Sequence, residues 1–240
     1  MSFNKSAILM YHSIDESGSV ISTSEREFER QMDSIAASKS KVLPLSLAWK
    51  TPGTVAFTFD DGFRNFRAVA APILERCGFP ATVFVVSGFC GRDNQWPGQS
   101  AHVPVLPLMD WSEVKEVAER GFEIGAHSIR HPDLRRLSQE EAAAEMAGSV
   151  AEIEQRLGRR VTEFAYPYGH LPRSARPKVD LACGTTLSYA RQADDPLNLP
   201  RLDACYLRGP VGAGSILSAQ ASCYFGARGI LRNLRQWLSR

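Results

Sequence analysis

The sequence predicts an α/β protein, with a closed or nearly closed (β/α) barrel as its architecture. Two observations carry that expectation. Short apolar runs alternate with helix-period segments at least five times, the signature of right-handed βαβ units and a parallel sheet. Three of those runs also lead directly into polar clusters, as strand ends converging on one barrel mouth require. An open doubly wound sheet is the alternative, but no G-x-G-x-x-G follows the first strand. The 240 residues suit one domain spanning 1–240, since such barrels run to about 200–250 residues.

Ala7–Tyr11 (AILMY) reads as the first strand. Ser24, with Glu27 three residues on, reads as a capping box opening a helix with Phe28, Met32, Ile35 and Ala36 on one face. Thr54–Phe59 (TVAFTF) is the second strand, followed by a helix over about 64–76 closed by Gly78. A third strand covers 81–86, a helix 111–120 ends at Gly121, and a fourth strand covers 122–126. Ser138 with Glu141 opens a long helix that stops at Gly158, and 163–166 is a fifth strand. Beyond His170 the pattern does not resolve into elements. The 88–110 segment, rich in Pro, Gly and Asn, is longer than a connector needs and is expected to shape a cleft.

Composition excludes several classes. Apolar residues make up 44% and charged residues 22%, too apolar for a disordered chain. With 28 Lys+Arg against 26 Asp+Glu the net charge is +2, so no nucleic-acid partner is expected. Cys77, Cys90, Cys183, Cys205 and Cys223 are odd in number and form no C-x-x-C pair. They read as reduced thiols and not as a disulfide frame or structural zinc site. No run approaches the ~18–20 apolar residues of a membrane span, and Ala7–Tyr11 is too short for a signal-peptide core. A cytoplasmic protein is the expectation.

The polar clusters are Asp60-Asp61-Gly62, His127-Ser-Ile-Arg-His131-Pro132 and Tyr166-Pro167-Tyr168-Gly169. His12 ends the first strand in the same way. Adjacent strand residues face opposite sides, so both aspartates reach one mouth only if the chain turns through Gly62; a plain Asp-Gly turn is the alternative. His127 and His131 have the spacing of metal ligands, and equally of an unrelated surface and core pair. Pro132 disfavours helix at His131 and predicts a bent loop. Two imidazoles and one carboxylate would leave positions open on a divalent ion, as hydrolytic sites do.

Thr58-Phe59-Asp60-Asp61-Gly62, the His127–Pro132 segment and Phe164-Ala165-Tyr166-Pro167-Tyr168-Gly169 together resemble, in order and spacing, the first three motifs of the polysaccharide deacetylase (NodB-homology) family. The resemblance spans about residues 7–205. It implies a distorted (β/α) barrel and metal-dependent removal of N-acetyl groups from sugars. It also implies that Asp60 is the general base, that Asp61, His127 and His131 hold the metal, and that the Tyr168 backbone N–H stabilises the oxyanion. The resemblance also makes Pro167, in the third motif, a substrate-binding or base-orienting candidate. Zinc suits such ligands best, with Co2+, Ni2+, Fe2+ and Mn2+ compatible.

Two positions depart from the family pattern. The family's late Leu-x-x-His motif has no counterpart, because no histidine follows His170. His12 is the expected replacement acid: first and last strands of a barrel are neighbours, and some poly-N-acetylglucosamine deacetylases of the family look permuted in this sense. The other reading of His12 is a satisfied buried imidazole. Ala165 stands where the family often has an arginine that holds the base, and Arg201 is the candidate to supply that contact. His102 and His170 read as loop histidines, and Trp96 and Trp111 as core residues with sugar stacking as the alternative.

The segment 226–240 places Ile230, Leu231, Leu234, Trp237 and Leu238 on one helical face among Arg228, Arg232, Arg235 and Arg240. It is expected to cover the barrel, with peripheral contact to an anionic membrane as the other reading. The functional expectation is a cytoplasmic N-deacetylase acting on an N-acetylated amino sugar in a glycan or glycan precursor. A deformylase on a sugar N-formyl group and a catalytically weak glycan- or partner-binding barrel are the alternatives.

Overall fold

A computed structural model describes residues 4–209 and 211–238. Seven parallel strands close into a ring in sequence order: β1 (Ala7–Tyr11), β2 (Thr54–Phe59), β3 (Ala81–Val85), β4 (Glu123–Ala126), β5 (Glu163–Ala165), β6 (Leu181–Leu187) and β7 (Leu199–Asp203). β7 pairs with β1 at Leu9↔Leu202, and β1 pairs with β2 from Ala7↔Val55 to Tyr11↔Phe59, which closes the barrel. The short strand Lys41–Val42 pairs with the start of β2. Around the ring lie α1 (Glu25–Ala37), α2 (Ala71–Cys77), α3 (Trp111–Glu119), α4 (Gln139–Leu157) and α5 (Ala219–Leu238).

Strand alternation sorts two cores. Val55, Phe57 and Phe59 of β2 face the helices with Phe28, Met32 and Phe66, whereas Ala56 faces the barrel interior with Ile8, Phe84, Ala165 and Cys183. Ala56, Ala165 and Cys183 are small, and the interior also holds Phe84 and the fully buried Arg201, whose guanidinium carbon lies 5.7 Å from the Phe84 ring centroid. A Cβ on Gly125 would stand 2.5 Å from that ring.

Several sequence expectations are corrected. Ser24 Oγ accepts the Glu27 N–H, but the Glu27 carboxylate takes Arg30 and Gln31, so the reciprocal half of the capping box is replaced. A reciprocal box does form at Ser138/Glu141, as expected, and another at Asp110/Glu113. The 64–76 helix divides into a π-turn over Phe66–Ala70 and then α2. Pro72 has no N–H to give the preceding turn, which accounts for the change of register. The unparsed region beyond His170 supplies β6 and β7. In the C-terminal helix the buried residues among the described side chains are Ala221 and Phe225, ahead of the segment expected to pack. Ile230, Leu231 and Leu234 are exposed, by 64% for Ile230. The side chains of Arg235, Trp237 and Leu238, and all of Arg240, lie outside the described residues. No described helix is long and apolar enough to cross a membrane.

Candidate active site and metal centre

Strand parity delivers the first carboxylate. Thr58 and Asp60 follow Ala56 on the interior side of β2, and the Asp60 N–H is held by the Tyr11 carbonyl at 2.9 Å. The turn begins at Asp61 itself, with φ of 73°, and continues through Gly62 at 78°. Aspartate is among the few residues that tolerate this left-handed conformation. A Cβ on Gly62 would also lie 3.0 Å from Val85 Cγ1. Both aspartates thereby reach the same mouth.

Arg201 reaches Asp60 from inside the barrel. Its Nη1 and Nη2 donate to Asp60 Oδ1 and Oδ2 at 2.6 and 2.7 Å, a bidentate fork. Two further donors are used: Nε gives to the Gly184 carbonyl at 2.9 Å and Nη1 to Thr58 Oγ1 at 3.1 Å. The β6–β7 register slips between Leu199 and Arg201, and Gly184 lies in that irregular stretch of β6. Burial opposes ionisation of Asp60, but Arg201 outweighs it and holds the carboxyl down to about 2.

Asp61, His127 and His131 form a second cluster whose ligand atoms all lie within 4.8 Å of one another. Asp61 Oδ1 stands 3.5 Å from His127 Nε2 and 3.4 Å from His131 Nε2. His127 Nδ1–H donates to the Ala165 carbonyl at 2.7 Å, which fixes the tautomer and leaves Nε2 as a lone pair. His131 lies against Trp96, ring centroids 4.3 Å apart, and edge-on to Tyr168 at 4.6 Å. Trp96 is therefore a buried wall of the site, carried there by the 88–110 segment. Trp111 packs partly buried against the helix-side core.

Burial disfavours charge throughout. It pushes His131 down to about 3, while at His127 the Asp61 carboxylate outweighs burial and raises the value. Burial likewise opposes ionisation of Asp61, and the two histidines overcome it. Among the described residues, Asp61 Oδ1 is buried with no hydrogen-bond partner. An orphaned carboxylate oxygen facing two imidazole nitrogens is the donor set of a divalent cation, so these residues fit a metal ion.

His12, at the end of β1, places Nε2 4.0 Å from Asp60 Oδ2 and is partly exposed. Tyr168 has φ of 57° in the turn after β5 and follows Pro167, which is buried. A cavity of about 210 Å³ joins His12, Asp60, Asp61, His127, His131 and Tyr168. Pro167 and Arg201 stand behind it and are not among its lining residues. His170 is not among the lining residues; it stands 3.3 Å from Asp133 with its ring 6.2 Å from that of Tyr168, and His102 is in an exposed turn. Four of the five non-glycine residues with positive φ among the described residues, Asp61, Ser128, His131 and Tyr168, belong to this site. Such strain persists only where the surroundings over-determine it.

A family description, polysaccharide deacetylase, matches residues 49–185. The chain belongs to that family. The match includes Asp60, Asp61, His127, His131, Pro167 and Tyr168 and leaves out His12 and Arg201, whose assignment rests on geometry. YxkH of Bacillus subtilis (strain 168), a protein named for the same family, is 27% identical over 173 residues, covering 69% of this chain and 57% of that protein. The poly-β-1,6-N-acetyl-D-glucosamine N-deacetylase of Staphylococcus aureus (strain N315) is 28% identical over 207 residues, covering 78% of this chain and 66% of that protein. The chain thus spans less than two thirds of the length of these relatives. In fold it is similar to the Streptococcus pyogenes deacetylase PplD (TM-score 0.71, 24% identity, 83% of this chain and 92% of that one). IcaB from Ammonifex degensii is likewise similar (TM-score 0.70, 23% identity, 89% and 96%).

Proposed function

We propose that the protein is a metal-dependent hydrolase that removes the N-acetyl group from an amino sugar and releases acetate. The observation that carries this reading is the pair of adjacent carboxylates with separate partners. Asp60 is forked by Arg201, and Asp61 is left facing two imidazoles. Asp61, His127 and His131 would hold the ion, for which zinc is the first choice. When bound, the ion would polarise the amide carbonyl and make water more acidic.

The chain's own residues divide the rest of the work. Asp60, ionised and fixed by Arg201, accepts the proton of the attacking water. Low basicity would be tolerable there, because a bound ion would raise the water's own acidity. The Tyr168 backbone N–H is assigned to the oxygen that gains charge as the carbonyl carbon becomes tetrahedral. His12 Nε2 gives a proton to the nitrogen as the carbon–nitrogen bond breaks, so that a neutral amine departs. Tyr168 and Trp96 supply an apolar wall suited to the acetyl methyl. A formyl group would meet the same machinery.

The substrate class is an N-acetylated glycan or glycan precursor. β-1,6-linked N-acetylglucosamine is the first polymer to assay, because a relative carries that substrate in its name, beside nucleotide-linked and lipid-linked precursors. The free cysteines favour a reducing, cytoplasmic setting, to be checked by fractionation. The exposed Ile230, Leu231 and Leu234, on a helix rich in arginine, favour peripheral contact with an anionic membrane. Deleting residues 226–240 should abolish co-sedimentation with anionic liposomes; unchanged binding ends that part of the reading.

The deciding experiment measures bound metal and acetate release for wild type, Asp61→Ala and His127→Ala. One equivalent of metal in wild type, lost in both variants along with acetate release, is expected. Wild-type protein that binds no metal under any loading condition would make the chain a binding scaffold instead.

A further inference from the structure

The segment between the two histidines is gripped by a residue outside the three motifs. Glu145, near the middle of α4, is only 1% exposed. Its Oε2 accepts the backbone N–H groups of Ile129 and Arg130, both at 3.0 Å, and its Oε1 accepts Arg130 Nε at 2.6 Å. Ile129 and Arg130 lie between Ser128 and His131, whose φ values are 66° and 56°. Two left-handed non-glycine residues within four positions cost free energy, on the order of 1–2 kcal/mol each, so this loop does not hold its shape unaided.

The other contacts complete the grip. Ser128 Oγ accepts the His131 N–H at 3.0 Å. From the turn after β3, Ser87 and Gly88 N–H groups donate to the Ser128 and Ile129 carbonyls at 3.2 and 3.0 Å. Packing is equally close. A Cβ on Gly88 would stand 2.7 Å from the Ile129 carbonyl oxygen, and one on Gly148 would stand 2.6 Å from Ile129 Cδ1. Gly148 lies in the same helix, three residues after Glu145. Glycine inside a helix costs about 1 kcal/mol relative to alanine, and here it gives Ile129 room to dock.

We propose that Glu145 is a positioning residue for the metal centre. Its carboxylate clamps the 129–130 backbone so that His127 and His131 both present Nε2 to Asp61 Oδ1. The proposal rests on the metal-centre reading above. The backbone clamp, and not the ion pair, is the operative part, because the Arg130 side chain is 70% exposed and such a charge contributes little.

Zinc affinity, read by competition with a chromophoric chelator, tests the clamp in wild type, Glu145→Ala, Glu145→Asp and Arg130→Ala. Glu145→Ala is expected to weaken zinc about 10–100-fold, the usual effect of removing an outer partner of a ligand. Arg130→Ala should stay within about twofold. Glu145→Asp keeps the charge but withdraws the carboxylate by one methylene, and should weaken zinc at least about fivefold. It decides the matter should the alanine variant not fold. Affinities within about twofold of wild type in the folded Glu145 variants overturn the proposal, as does a loss in Arg130→Ala equal to that in Glu145→Ala. Wild type that binds no zinc would instead remove the metal centre itself, a distinguishable result.

Discussion

Asp60 is buried, yet Arg201 keeps it charged, and that pairing sets its behaviour with pH. A carboxyl held down to about 2 is ionised over any working range, so the acid limb of the pH–rate profile belongs to other groups. Arg201→Lys keeps the positive charge but loses the fork. It should lower kcat/KM about 10–100-fold, leave bound metal unchanged, and move the acid limb upward as burial raises the Asp60 value. An unmoved limb would show that the fork does not govern the base. His12→Gln should cost about 10²–10⁴-fold in kcat. The loss should shrink for an anilide substrate, whose amine needs less help to leave. Equal losses on both substrates would place His12 outside the acid step.

At the scale of single strands, β5 carries an ionisable group away from the mouth. Glu163 is buried inside the barrel, accepting from Thr82 Oγ1 at 2.8 Å, and burial pushes it up to about 7. A raised carboxyl holds its proton in the folded state and releases it on unfolding near neutral pH. Its favourable contribution is complete below 4.5 and fades as pH rises through about 7. Glu163→Gln, neutral at every pH, should raise Tm by several degrees at pH 8, from up to about 3 kcal/mol of linkage. The same substitution should change Tm little at pH 4. Equal Tm values at pH 8 would mean that Glu163 already has a cationic or aqueous partner there. Elements with strong local signals, such as α4 between Ser138 and Gly158, were legible in the sequence because both ends are written in cap residues. β6 and β7 were not, since LACGTTL and LPRLD mix glycine, proline and charge in strands whose shape comes from the closed ring.

Across the whole molecule, the mouth gathers a carboxylate and two imidazoles that are buried when the chain folds, so metal and folding should be linked. Zinc at about 100 times its Kd should add about 2.7 kcal/mol of stability, read as a rise in Tm that chelator reverses and that Asp61→Ala abolishes. No Tm response in wild type would separate the cluster from metal binding. The motifs made Asp60, Asp61, His127, His131 and Tyr168 readable at once, because each set is local and carries its chemistry within six residues. His12 and Arg201 could be nominated from what the motifs lacked, yet only the closed barrel puts β7, β1 and β2 side by side and brings Arg201 onto Asp60. Glu145 was hidden in a helix of many glutamates; its position on the buried stripe with Ala142, Met146 and Ser149 was the available signal. By itself the sequence determined the alternation of strands and helices, the caps and the ligand types, all of which act over a few residues. The tertiary structure alone decided which charges meet, because ring closure joins residues more than 140 positions apart, and no local pattern encodes such contacts.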